Sequence, residues 1–251
     1  MSPADAPPPP PDLDDARWAL FLDIDGTLLE HAAHPDAVVV GAELRALLCR
    51  LERKLGGALA FVTGRSVAMV DRLFAPLRLR AAGLYGLEHR LEPGGPVEAA
   101  DAPPDIAAVA DEMEAEFAGQ RVYIERKGPI LAVHTRAAPQ LLDRATQMVE
   151  QALMRLPPGY RMLAGNAGVE LMPLEAVKGA AIRRFMAMPA FRGRRPVFLG
   201  DDTSDETGFE TVNDAGGISI RVKPEGATQA AYSVEGVSDA LAWLEARLGR
   251  V

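Results

Sequence analysis

Short, unbroken apolar runs, each ended by a polar cluster, recur along this chain. Trp18-Ala19-Leu20-Phe21-Leu22 leads straight into Asp23-Ile24-Asp25-Gly26-Thr27. Such a run, bounded by polar residues, reads as a strand buried on both faces. Ala58-Leu59-Ala60-Phe61-Val62 repeats the pattern and ends in Thr63-Gly64-Arg65. Pro196-Val197-Phe198-Leu199 ends in Gly200-Asp201-Asp202, and Gly217-Ile218-Ser219-Ile220-Arg221-Val222 reads as a further strand. Between the first two runs, residues 41–54 carry Leu44, Leu47, Leu48 and Leu51 at helical spacing, stopped by Gly56-Gly57. Residues 67–74 read as a second helix. Leu84-Tyr85-Gly86-Leu87-Glu88-His89 reads as a third strand and its exit. This βαβαβ order predicts a parallel sheet wrapped by helices.

The pattern changes near Glu98. Pro103-Pro104 marks a hinge or helix entry, and a helix is expected to about Phe117. Strands follow at 121–125 and 130–135, joined across Lys127-Gly128-Pro129. A helix at 139–155 is broken by Pro157-Pro158-Gly159 and followed by strands at 160–164 and 168–171. This αββαββ block predicts an antiparallel sheet with helices on one face. The parallel pattern returns with helices at 179–186 and 237–248. The expected organisation is therefore a discontinuous α/β core of 16–100 and 173–251, an inserted α+β domain of 101–172, and a disordered tail over 1–15.

The 251 residues carry a formal charge of -8, with no basic run of the kind a nucleic-acid or anionic-membrane surface needs. No apolar stretch reaches the ~18 residues of a membrane span, and residues 1–15 lack the pattern of a secretory signal. The lone Cys49 sits in an apolar helical pattern and reads as a small buried hydrophobe. A single cysteine fits a reducing compartment, so a cytoplasmic monomer without nucleic-acid or membrane partners is expected.

Three polar clusters fall just past predicted parallel strands: Asp23 with Asp25, Thr63, and Asp201 with Asp205. In open α/β sheets the ligand crevice lies at that edge. Four carboxylates in one crevice repel unless a cation or protons compensate them. Hard oxygen ligands of this kind suit Mg²⁺. Lys178, at the start of a helix, can bring a positive charge to Asp23. His31, His34 and His134 lack ligand spacing to one another and read as surface or structural residues.

Asp23-Ile24-Asp25-Gly26-Thr27, Thr63, Lys178 and Gly200-Asp201-Asp202-Thr203-Ser204-Asp205 match, in order, the four motifs of the haloacid-dehalogenase superfamily, which the chain resembles. The four fixed positions of the first motif arise by chance in roughly one chain of this length per thousand. The resemblance implies a Rossmann-like core and phosphoryl transfer through an aspartyl phosphate on Asp23. It implies that Asp25 works as acid and base, and that Thr63 and Lys178 complete the catalytic set. It further implies Mg²⁺ held by Asp23, Asp201, Asp205 and the backbone of Asp25.

The insertion resembles the cap of the trehalose-6-phosphate phosphatases. Gly83 to Arg90, Glu125-Arg126-Lys127-Gly128, Leu131 to Arg136, Gly168-Val169-Glu170-Leu171, and Gly208-Phe209-Glu210 to Val222 carry that likeness. Leu171-Met172-Pro173 departs from it, because the family commonly has an arginine before the proline. The implied partner is a small-molecule sugar phosphate. Glu125, Lys127 and Glu170 are the expected sugar-binding residues, with Arg65 at the phosphate end. Hydrolysis of sucrose 6-phosphate or a mannosylphosphoglycerate-like ester, sugar phosphotransfer, and a non-enzymatic sensor are the alternatives. Retention of both Asp23 and Asp25 speaks against the sensor.

Overall fold

The structure is a computed structural model that describes residues 7–13, 17–31, 39–99, 103–165 and 167–247. The chain runs through β1 (Trp18–Leu22), α1 (Ala42–Lys54), β2 (Leu59–Val62), α2 (Val67–Phe74), β3 (Arg80–Gly83), β4 (Glu88–Arg90) and β5 (Glu98–Ala99). Next come α3 (Pro104–Glu116), β6 (Tyr123–Lys127), β7 (Ile130–His134), α4 (Leu142–Leu153), β8 (Tyr160–Gly165) and β9 (Gly168–Pro173). It closes with α5 (Lys178–Met186), β10 (Arg195–Gly200), α6 (Glu206–Asp214), β11 (Ile218–Val222), β12 (Tyr232–Val234) and α7 (Val237–Ala246). Two compact units result: Met1–Glu98 with Val177–Val251, and Ala99–Ala176.

The first unit is built on an eight-stranded sheet of order β12-β11-β10-β1-β2-β3-β4-β5. Pairing is parallel from β12 to β3 and antiparallel between β3 and β4. All five residues of β1 are buried, as a strand covered on both faces requires. On one face Leu20, Leu22, Phe61 and Ile220 pack with Leu44 and Leu48 of α1, Val70 of α2 and Leu244 of α7. On the other, Phe21, Val62 and Phe198 pack with Phe185 of α5 and Phe209 of α6. Ser66 starts α2, its hydroxyl accepting the Met69 N–H at 3.3 Å.

The third parallel strand lies earlier than its expected place at Leu84–His89. Arg80-Ala81-Ala82-Gly83 forms it, and its small residues and single arginine leave no apolar run to read. Leu84 and Tyr85 take left-handed backbone angles (φ 49° and 58°), which end the strand in a 3₁₀ turn. The chain then reverses into β4. A Cβ on Gly83 would lie 2.8 Å from the Arg65 carbonyl, so this exit packs too tightly for a larger residue. Helix α6 and the short β4, β5 and β12 were not assigned from the sequence.

Pro7 to Leu13, read from sequence as part of a disordered tail, lies against the first unit. The Ser233 N–H donates to the Pro8 carbonyl at 2.9 Å, Arg247 pairs with Asp12 at 2.6 Å, and Leu13 packs on the core. The rest of the expected tail, 1–6 and 14–15, lies outside the described residues, as does His34.

The second unit is an antiparallel sheet of order β6-β7-β9-β8. Leu131, Val133, Val169 and Leu171 meet Ile106, Val109 and Met113 of α3 and Ala145 and Val149 of α4. The opposite face carries the polar positions of β6. No helix among the described residues is long and apolar enough to cross a membrane.

Candidate active site

Strand β1 delivers Asp23 to the carboxyl edge of the sheet, where its N–H donates to the Leu199 carbonyl of β10 at 3.0 Å. The chain then turns sharply: the Gly26 N–H donates to Leu29 at 2.7 Å. Gly26 has φ +77°, and a Cβ there would stand 1.9 Å from Asp201 Oδ2. Only glycine supplies both the angle and the space. The motif after β1 and the motif after β10 are therefore interlocked.

Lys178 opens α5 and is buried. Its ammonium donates to Asp23 Oδ1 at 2.8 Å and to Asp205 Oδ1 at 2.6 Å. Asp205 Oδ2 accepts the N–H groups of Asp201 and Asp202, each at 3.0 Å. Carboxylate oxygens of Asp23, Asp201 and Asp205 lie within 4.8 Å of one another. Burial, together with Asp205, Asp201 and Asp202, raises the Asp23 pKa well above the ordinary carboxylate value, against the pull of Lys178. Burial, opposed by Lys178 and aided by Asp202, pushes Asp205 up to about 7. Burial also works against the Lys178 ammonium, but Asp205 and Asp23 outweigh it and hold its pKa well above that of a free lysine. One ammonium thus faces more negative charge than it neutralises. The convergent hard oxygens fit a divalent cation, which would relieve that excess.

Thr63 follows β2 and is buried. Its backbone N–H donates to the Ala82 carbonyl at 3.0 Å, and its hydroxyl accepts the Arg65 N–H at 3.2 Å. Arg65, expected at the phosphate end, grips Asp25: Nε to Oδ2 and Nη2 to Oδ1 are both 2.6 Å. This fork engages both oxygens of Asp25. Two neighbours escaped the sequence reading. His31 Nε2 lies 2.9 Å from Asp201 Oδ2, although it is half exposed like the surface histidine expected. Tyr85 places its ring 5.9 Å from the Lys178 ammonium. Neither was singled out as a site residue; their roles depend on turns.

In the second unit Glu125 and Lys127 alternate on β6, so they share a face. Ala132 of β7 lies between Glu125 and Glu170 in register. Across that small residue Lys127 Nζ reaches Glu170 at 2.8 Å and Glu125 at 3.5 Å. His134, also read as surface or structural, meets Glu125 at 2.8 Å and stacks on Tyr123. Arg126 points the other way, to Asp111 and Glu114. The core candidates thus gather in one unit and the three sugar candidates in the other. A cavity of about 650 Å³ at the amino-terminal edge of the first sheet, bordered by Trp18, Lys54, Arg194 and Trp243, contains none of these residues.

A parallel sheet with acidic clusters and a lysine at its carboxyl edge, in a chain that also carries an αββαββ unit, is the fold of the haloacid-dehalogenase superfamily. A phosphatase of that superfamily from Bacteroides thetaiotaomicron has a TM-score of 0.60 at 16% identity, covering 91% of this chain and 93% of its own. The C-terminal domain of the C. albicans trehalose-6-phosphate phosphatase has a TM-score of 0.77 at 21% identity, covering 94% of each chain. The chain belongs to the trehalose-phosphatase family, whose model matches residues 21–238. It is a phosphoric monoester hydrolase. The trehalose-6-phosphate phosphatase of Escherichia coli is 39% identical over 234 residues, 92% of this chain and 86% of the relative. A Sinorhizobium fredii protein named "Probable trehalose-phosphate phosphatase" is 44% identical over 241 residues, 93% of this chain and 90% of the relative.

Proposed function

We propose that the chain hydrolyses trehalose 6-phosphate to trehalose and phosphate, with Mg²⁺ bound by Asp23, Asp201 and Asp205 and by the backbone of Asp25. The observation that carries this reading is Asp23, buried and held by Lys178, in the carboxylate cluster of a chain of the trehalose-phosphatase family. The cation, when bound, screens phosphate from carboxylate and stabilises charge on the transferring group.

The free Asp23 oxygen attacks phosphorus in line and forms an acyl phosphate as the sugar oxygen leaves. Lys178 orients Asp23 and opposes the burial that favours its protonated form. Thr63 offers a hydroxyl to a phosphate oxygen. Asp25 protonates the leaving oxygen, then takes a proton from the water that hydrolyses the acyl phosphate. Because Arg65 holds both Asp25 oxygens, that carboxylate must loosen from the fork to take up its proton. Arg65 is therefore a positioning residue for Asp25. The Ala99–Ala176 unit serves as a cap, with Glu125 and Glu170 accepting sugar hydroxyls and Lys127 donating to them.

Phosphate release from trehalose 6-phosphate, sucrose 6-phosphate, a mannosylphosphoglycerate and p-nitrophenyl phosphate, with Mg²⁺ and with excess chelator, tests the reading. Release is expected to be fastest from trehalose 6-phosphate and to stop with chelator. Equal rates on sucrose 6-phosphate would overturn the sugar assignment. Full release by protein shown to hold no metal would overturn the cation.

A further inference from the structure

Arg221 stands in an unusual place for a charged residue. It lies on β11, all of whose residues are buried, and pairs in register with Gly200, the residue before Asp201. Alternate residues Ile218, Ile220 and Val222 enter the apolar core. Ser219 and Arg221 take the alternating positions on the strand's other face. Ser219 meets Asn213 of α6 at 2.6 Å, and Arg221 reaches Glu206 of the same helix. Arg221 Nη1 donates to the Asp202 carbonyl at 2.6 Å and to Glu206 Oε1 at 3.0 Å. Its Nε is buried without a hydrogen-bond partner among the described residues. Burying a guanidinium that is incompletely bonded is unfavourable, and an aliphatic side chain would fit this strand better. The contacts it does make must therefore matter.

Those contacts converge on the loop that carries two of the three clustered carboxylates. Asp202 accepts the Ser204 N–H at 2.8 Å, and Asp205 closes the turn by accepting the N–H groups of Asp201 and Asp202. The turn is thus closed on itself where it leaves β10, and Lys178 holds Asp205 from the other side. Arg221 ties the Asp202 carbonyl to β11. Glu206, which Arg221 neutralises, accepts from the Thr228 hydroxyl at 2.8 Å and the Gln229 N–H at 2.6 Å, so the following loop is tied to the same point.

We propose that Arg221 is a positioning residue for the cation site: it holds the 201–205 turn so that Asp201 and Asp205 present their oxygens together with Asp23. The inference rests on the reading of that cluster as a Mg²⁺ site. Charge alone works in the opposite direction, because a guanidinium near a cation site repels the cation. Removal of Arg221 therefore separates the two effects by sign.

The experiment is calorimetric titration of Mg²⁺ into the full chain, for wild type, Arg221→Met and the pair Arg221→Met/Glu206→Gln, with phosphate-release kinetics at varied Mg²⁺. The paired variant leaves no uncompensated carboxylate at position 206, so it decides the matter if Arg221→Met alone does not fold. Mg²⁺ affinity is expected to fall ~10–100-fold, the usual effect of losing a group that orients metal ligands. At saturating Mg²⁺ most of kcat should return, with KM for the sugar phosphate unchanged. Unchanged or tighter Mg²⁺ binding in the variants overturns the role of Arg221 alone. A wild type that binds no Mg²⁺ overturns the site reading, and the inference with it.

Discussion

Asp23 and Asp205 share one ammonium, which has two consequences at the scale of single residues. Asp23→Asn removes a poor share of that ammonium and the attacking oxygen together. Turnover should drop by ~10⁴-fold or more, while metal-free thermal stability holds or rises, because one buried negative charge is gone. Phosphate release near the wild-type rate would refute the nucleophile. Arg65 is a different case. Its two-point grip on Asp25 depends on planar geometry that lysine lacks. Arg65→Lys and Arg65→Met should both lose kcat, by ~100-fold, with a smaller change in KM. A large rise in KM with kcat preserved would return Arg65 to the phosphate-binding role that its position after Thr63-Gly64 implied. The sequence put Arg65 in the site; its contact with Asp25 depends on a turn forty residues earlier in the chain.

Turns and hairpins carry the arguments at the scale of elements. Gly26→Ala forces a left-handed angle on a residue with a Cβ and drives that atom into Asp201. Urea unfolding should show a loss of at least ~1–3 kcal/mol, accompanied by lost activity. In the second unit, β6 sets Glu125 and Lys127 two residues apart, and pairing through β7 adds Glu170. Lys127→Ala and Glu170→Ala should lower kcat/KM for the sugar phosphate by ~10–100-fold, the range for a lost charged hydrogen bond. p-Nitrophenyl phosphate, which lacks the sugar, should be affected much less. Equal losses on both esters would mean that the cluster supports the fold and not the sugar. The hairpin was legible because Lys127-Gly128-Pro129 separates two strand-like runs, and Gly128 does take φ +59°. Strand β3 was not legible, since a run of alanines and a glycine has no period.

The whole molecule should respond to pH through His89. Its ring is buried beside Arg184, whose guanidinium donates to Nδ1 at 3.2 Å, and burial followed by that charge lowers its pKa to about 4. The unfolded chain binds a proton near 6.5, so between about 6.5 and 4 the unfolded state holds more protons. Stability from the neutral ring is therefore complete above about pH 6.5 and is lost as pH falls toward 4. The loss is ~1–2 kcal/mol after discounting for solvent screening. Urea midpoints for wild type and His89→Gln, compared at pH 7 and pH 5, should converge toward the acid end. Parallel pH slopes for the two proteins would remove His89 from the account.

The parallel sheet, the αββαββ insertion and the place of the acidic clusters just past strand ends were readable from local pattern. Apolar runs and the residues that end them are local properties, and a parallel sheet gathers its strand ends at one edge whatever lies between. Tertiary structure alone decided the partnerships. Arg65 on Asp25, His31 on Asp201 and Arg221 on the Asp202 carbonyl join residues 19 to 170 positions apart. No spacing rule encodes such pairs, because side-chain charge finds its partner only after the backbone has turned and the core has closed.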